Sequence, residues 1–145
     1  MSPPRVCHSL GYWNPLGEDG PAISPLALVD PGWAAEERAL LVRYLRGGAV
    51  VREVLGYASD HFAGRLSSRE MGCAERTDGT WMWPEGLAIY VERYKVRLPE
   101  AFLIHARANG FENPQPAASE REPGLWFEAD PSFWFEWCAA QRVGR

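Results

Sequence analysis

Thr77-Asp78-Gly79-Thr80-Trp81-Met82-Trp83-Pro84-Glu85-Gly86-Leu87-Ala88-Ile89-Tyr90-Val91 compresses a tight turn, an aromatic strand and a helix start into one stretch. An Asp-Gly pair between strand-like runs is a strong hairpin signal, because a type I′ turn needs positive φ at both central residues. Asp78-Gly79 therefore predicts a hairpin whose first arm is Cys73 to Thr77. Trp81 and Trp83 fall on one face of the second arm, with Thr80 and Met82 on the other. Pro84 stops the strand and suits the first position of a helix, where Glu85 complements the positive end of the helix dipole. Leu87, Tyr90, Val91 and Tyr94 then recur at i, i+3, i+4 and i+7, the spacing of one buried stripe.

Working outward, Asp30-Pro31-Gly32-Trp33 predicts a helix capped by Asp30, with Trp33, Leu40, Leu41, Tyr44 and Leu45 on its inner stripe. Glu36 and Glu37 lie early in it and Arg43 and Arg46 late, as the dipole favours, and Gly47-Gly48 predicts a left-handed C-terminal cap. Val50-Val51 opens a strand running towards Tyr57. Residues 58–72 lack a sustained apolar period and read as a loop. Pro99-Glu100 starts a helix through Phe102, Leu103, His105 and Ala106 that stops at Asn109-Gly110. Asp130-Pro131-Ser132 repeats the cap chemistry of residue 30 and predicts a terminal helix with Trp134, Trp137 and Cys138 inward; a strand with Phe133, Phe135 and Trp137 on one face is the rival.

The resulting expectation is one α+β domain: a small antiparallel sheet with a hairpin at Asp78-Gly79, covered by three to four helices. Residues 1–29, rich in Pro and Gly and anchored by Tyr12 and Trp13, form an extended arm packed on the domain. Residues 30–110 are its α+β core, 111–124 a surface linker, and 125–145 an aromatic segment that closes the core.

A chain of 145 residues with 46% hydrophobic content can bury a core without staples. Its formal charge is -4, its 15 basic residues are scattered, and Lys95 is the lone lysine, so the expectation is no nucleic acid and no membrane as partner. No run approaches the ~18 apolar residues of a membrane span. The first residues lack the apolar heart of a signal peptide, and three dispersed cysteines fit a reducing compartment. A cytoplasmic protein is expected.

Zinc is the one cofactor the residues raise. His61 and Cys73 flank the long loop, yet no closely spaced Cys pair supports them, and Cys7, His8, His105 and Cys138 would have to converge from afar. A nucleophilic cysteine needs a neighbouring histidine or a helix N-terminus, which Cys73 gains only if the loop folds back on His61. Asp60, Glu75, Asp78 and Glu85 offer paired carboxylates for acid and base work, although Asp78 also has turn chemistry and Glu85 helix-start chemistry to explain it. The candidate pocket is thus Asp60, His61, Cys73, Glu75 and Glu85. Against it stand the aromatics: seven Trp, five Tyr and six Phe, of which Trp81 with Trp83, and Phe133 with Trp134, are candidates for a patch that binds another protein.

The set Thr77-Asp78-Gly79, Trp81, Trp83-Pro84-Glu85-Gly86-Leu87, Tyr90-Val91, Val96-Arg97-Leu98-Pro99 and Phe102 resembles a group of small uncharacterised bacterial proteins over residues 30–107. That resemblance implies a bacterial cytosolic protein. Members of the group carry closely spaced cysteines in the stretch before Cys73, where this chain has Asp60-His61 instead. The functional expectation is a non-enzymatic protein-binding module, such as an immunity or accessory protein of a bacterial toxin or defence system; the alternative is a small enzyme or ligand-binding protein built on the 58–85 loop and hairpin, with a metal as its option.

Overall fold

The structure, a computed structural model, describes residues 5–13, 25–53, 74–114 and 127–143. Strands β1 (Arg5–Ser9), β2 (Ala49–Glu53), β3 (Ala74–Thr77), β4 (Trp81–Pro84) and β5 (Phe127–Asp130) make one sheet in the order β2-β3-β4-β1-β5. Helices α1 (Ala35–Arg46), α2 (Leu87–Tyr94), α3 (Glu100–Ala108) and α4 (Ser132–Val143) accompany it. The class is α+β. The expected 58–72 loop and most of the 111–124 linker lie outside the described residues.

The sheet is mixed, and this corrects the expected antiparallel one. β2, β3 and β4 form an antiparallel meander, while β1 lies between β4 and β5 and runs parallel to both. Within the expected arm of residues 1–29, residues 5–9 are an inner strand of the sheet. Their sequence hid this because burial in β1 does not follow polarity: apolar Val6 is 58% exposed. Cys7 and Ser9 are buried on one side, and His8 packs on the other against Trp81 and Phe133, with ring centroids 5.2 and 6.1 Å apart. Exposure alternates along residues 6–9, yet an apolar residue is out at Val6 and a polar one is in at Ser9, so no polar-out pattern marks the strand.

The hairpin forms one residue later than expected. Thr77 pairs with Met82 and the Asp78 N–H donates to the Trp81 carbonyl at 3.3 Å, so Gly79 and Thr80 are the central residues. Gly79 alone has positive φ, 95°, the pattern of a type II′ turn with glycine first. Asp78 contributes its carboxylate instead of a left-handed backbone.

Helix starts show the same economy. Asp30 accepts the Gly32 N–H at 3.1 Å and Asp130 accepts the Ser132 N–H at 3.1 Å. A helix follows directly only in the second case; α1 waits until Ala35. Pro84 is the last residue of β4, and α2 starts at Leu87. The terminal segment is a helix, with Trp134 and Cys138 buried. Gly47 at φ -83° is right-handed, so the expected left-handed cap is absent. The need for glycine falls on Gly48, where a Cβ would lie 2.7 Å from Trp83 Cζ2 and 3.2 Å from the Thr77 carbonyl oxygen.

Aromatic rings fill the space between sheet and helices. Phe102 of α3 meets the rings of Tyr44, Trp81 and Trp83 at 6.0, 5.5 and 5.7 Å, each edge to face. A second group joins Trp13 to Tyr90 and to Trp134. Such pairs contribute about 0.5–1.5 kcal/mol each beyond area burial. The buried indole N–H groups find carbonyls: Trp83 donates to Leu45 at 3.1 Å and Trp134 to Tyr12 at 2.7 Å. The opposite face of the sheet carries a smaller cluster of Cys7 and Met82, with Val51 against it.

Candidate functional site: the Asp78 cluster and the α1–α2 groove

The hairpin turn, the end of α1 and the end of α3 meet at the carboxylate of Asp78, whose side chain is wholly buried. Oδ1 accepts the N–H groups of Thr80 and Trp81 at 2.9 and 2.7 Å. Oδ2 accepts the Tyr44 hydroxyl at 2.6 Å and lies 3.3 Å from His105 Nε2. Asn109 then donates to the Tyr44 oxygen at 3.1 Å. The positions follow from helical spacing, since Phe102, Ala106, His105 and Asn109 share one face of α3, its first turn apolar and its last turn polar. Burial pushes the Tyr44 hydroxyl well above the ordinary tyrosine range, and the hydrogen bond to Asp78 and the charge of its carboxylate push it further.

A carboxylate offers about four acceptor directions, and here three take hydrogen bonds while His105 Nε2 stands 3.3 Å from Oδ2. Asp78 can take a proton or attack a carbon only by giving up a bond that holds the turn. The cluster joins hairpin, α1 and α3; it is structural chemistry. His105 and Asn109 are its partly exposed members, His105 with 30% of its side chain open to solvent.

The sequence candidates are distributed as follows. Trp81, Trp83 and Trp134 are buried at 5%, 0% and 0% exposure, and Phe133 is partly buried against them. They are core side chains, because the alternation that puts Trp81 and Trp83 on one face turns that face towards the helices. Glu85 approaches Arg76 at 3.9 Å, and Arg76 projects on the Trp83 side of the sheet, its guanidinium donating to the Gly48 carbonyl at 2.7 Å. Glu75, the preceding strand residue, points to the opposite side. These two carboxylates therefore do not share a cleft. Asp60, His61 and Cys73 lie outside the described residues, and with them the zinc candidate. Among the described residues no three His, Cys, Asp or Glu side chains cluster to hold a metal ion, and no helix is long and apolar enough to cross a membrane.

Composition treated the arginines as scattered, but the fold collects three of them. A groove of about 370 Å³ lies between α1 and α2, with Ala35, Ala39 and Val42 as its floor and Arg38, Arg43, Arg46 and Glu92 around it. Arg46 and Glu92 form a forked pair at 3.1 and 3.2 Å. Arg38 and Arg43 reach only carbonyl oxygens, of Trp33 and Phe111, each at 3.4 Å. Neither has a carboxylate within 4 Å among the described residues. The signal was available: positions 35, 38, 39, 42, 43 and 46 occupy one side of a helical wheel, although Arg43 and Arg46 also satisfy the helix dipole and were explained by it.

Compared with protein-family models, curated proteins and solved structures, the chain matches none.

Proposed function

We propose that this protein is a non-enzymatic binding module for another protein, acting through the exposed side of α1. The observation that supports this is the pair Arg38 and Arg43, two guanidinium groups held beside a concave, small-residue floor with no carboxylate partner among the described residues. Arginine is enriched at protein interfaces because its planar fork matches carboxylates and sheds water more readily than an ammonium. A small module of this kind suits an immunity or accessory protein of a bacterial toxin or defence system.

The test is affinity capture from a bacterial lysate with three forms of the chain. The unaltered protein and R107Q, which changes an exposed arginine on α3, are expected to retain the same stoichiometric partner, and the double variant R38E/R43E to lose it. No stoichiometric partner, or one that R38E/R43E retains, overturns the reading.

A further inference from the structure

The groove also constrains what kind of partner segment enters it. Ala35, Ala39, Val42 and Arg46 follow one another at i, i+4, i+7 and i+11 along α1, a line of about 16 Å at 1.5 Å per residue. Arg38 and Arg43 stand on either side of that line, five residues apart, which is about 7.5 Å along the axis. The alanines let another backbone approach closely, and the arginine stems flank it. Glu92 already displays the mode of recognition within the same groove, since its two oxygens take two nitrogens of Arg46 at 3.2 and 3.1 Å.

We propose that the α1–α2 groove seats an acidic helical segment of the partner, with carboxylates on Arg38 and Arg43 and a small apolar face on Ala35 and Ala39. This rests on the binding-module reading above. Carboxylates at i and i+4 of a helix lie about 6 Å apart along its axis, comparable to the axial offset of about 7.5 Å between positions 38 and 43. Charge complementarity is local: two uncompensated cations meet two anions, each pair able to adopt the forked geometry. A nucleic-acid duplex fits the same groove poorly. It carries a charge every ~1.7 Å and would press many phosphates against a face that also bears Glu36 and Glu92, on a chain of net charge -4.

Fluorescence anisotropy with two labelled helical peptides tests this directly. One carries Glu at i, i+4 positions on an alanine background, and the other carries Gln at those positions. The Glu peptide is expected to bind at least ~10-fold more tightly than the Gln peptide and to weaken as salt rises, as an exposed ion pair must. R38Q/R43Q is expected to reduce Glu-peptide binding by about 10-fold, the scale of losing charge-assisted contacts, whereas R107Q leaves it unchanged. Equal affinity for the two peptides, no binding of either, or Glu-peptide binding that survives R38Q/R43Q overturns the acidic-segment inference. So does a duplex oligonucleotide that binds more tightly than the Glu peptide through the same two arginines. If the peptides fail while lysate capture still depends on Arg38 and Arg43, the acidic-segment inference falls and the binding-module reading stands; if capture fails as well, both fall.

Discussion

Helix α1 treats charge in opposite ways on its two sides. On its inner side, Tyr44 delivers a hydroxyl to a buried carboxylate, Asp78, which also accepts two backbone N–H groups and has His105 beside it. On its outer side, Arg38 and Arg43 hold permanent positive charge against carbonyl oxygens at the limit of hydrogen bonding. Water explains the difference. A buried polar group left without a partner costs about 1–3 kcal/mol, so the interior must satisfy itself. An exposed guanidinium is satisfied by solvent, so its place on the fold is free to serve something outside the chain. A crowded cluster of chemistry-bearing residues can therefore be architecture, while a sparse one can be the working surface.

Substitutions should divide along that line, with large losses of stability inside and almost none outside. The greatest is expected at Trp83→Ala, which removes a fully buried indole, its hydrogen bond to Leu45 and its rings' contacts. Chemical denaturation should show a loss of about 3–5 kcal/mol; less than 1 kcal/mol would mean that the aromatic centre is not the core. Asp78→Ala strands the Thr80 and Trp81 N–H groups and the Tyr44 hydroxyl, and should cost about 3 kcal/mol by the same measurement. Gly48→Ala drives a methyl into Trp83 and Thr77 and should cost about 1–3 kcal/mol, with a visible change in tryptophan fluorescence.

Tyr44→Phe is milder, about 1 kcal/mol at neutral pH, but it carries a pH signature. The folded state holds the Tyr44 proton more tightly than the unfolded state, whose tyrosine titrates near 10.0. This contribution is complete below that pH and fades as pH rises beyond it, because the unfolded chain then releases a proton the folded chain retains. Melts from pH 9 to pH 11 should show a steeper decline for the unaltered protein than for Y44F. Parallel curves would remove Tyr44 from the pH response. At the small end, R38E/R43E should shift stability by no more than about 0.5 kcal/mol while it loses partner capture, and a larger loss would place those arginines among the architectural residues.

Much of this contrast was readable in the chain, and what was not has identifiable causes. Trp81 and Trp83 share a face because strand periodicity is strict, but periodicity cannot tell a face turned to solvent from one turned to helices. Asp78-Gly79 marked the hairpin, yet its register slipped by one because an aspartate can hold a turn with its side chain as well as its backbone. Gly48 was legible as a glycine that mattered and illegible in its reason, a ring arriving from a strand 35 residues later in the chain. His105 read as a helix residue and a distant zinc candidate, and Asn109 as a helix stop. Their convergence on Asp78 depends on packing between elements that no local window contains.

Strand β1 has a consequence for how the protein comes into being. Cys7 finds its neighbours at the hairpin 72 residues further on, and Ser9 reaches Asp130 across 121 residues. At about 5–20 residues per second, translation takes roughly 6–25 s to make the second of those partners. Translation thus makes β1 well before β5, one of its two flanking strands. During that interval β1 has at most one neighbour, and its other backbone edge is open to any strand that passes. In the finished sheet β1 is an inner strand, fourth in the order β2-β3-β4-β1-β5, and until β5 is made it is an open edge.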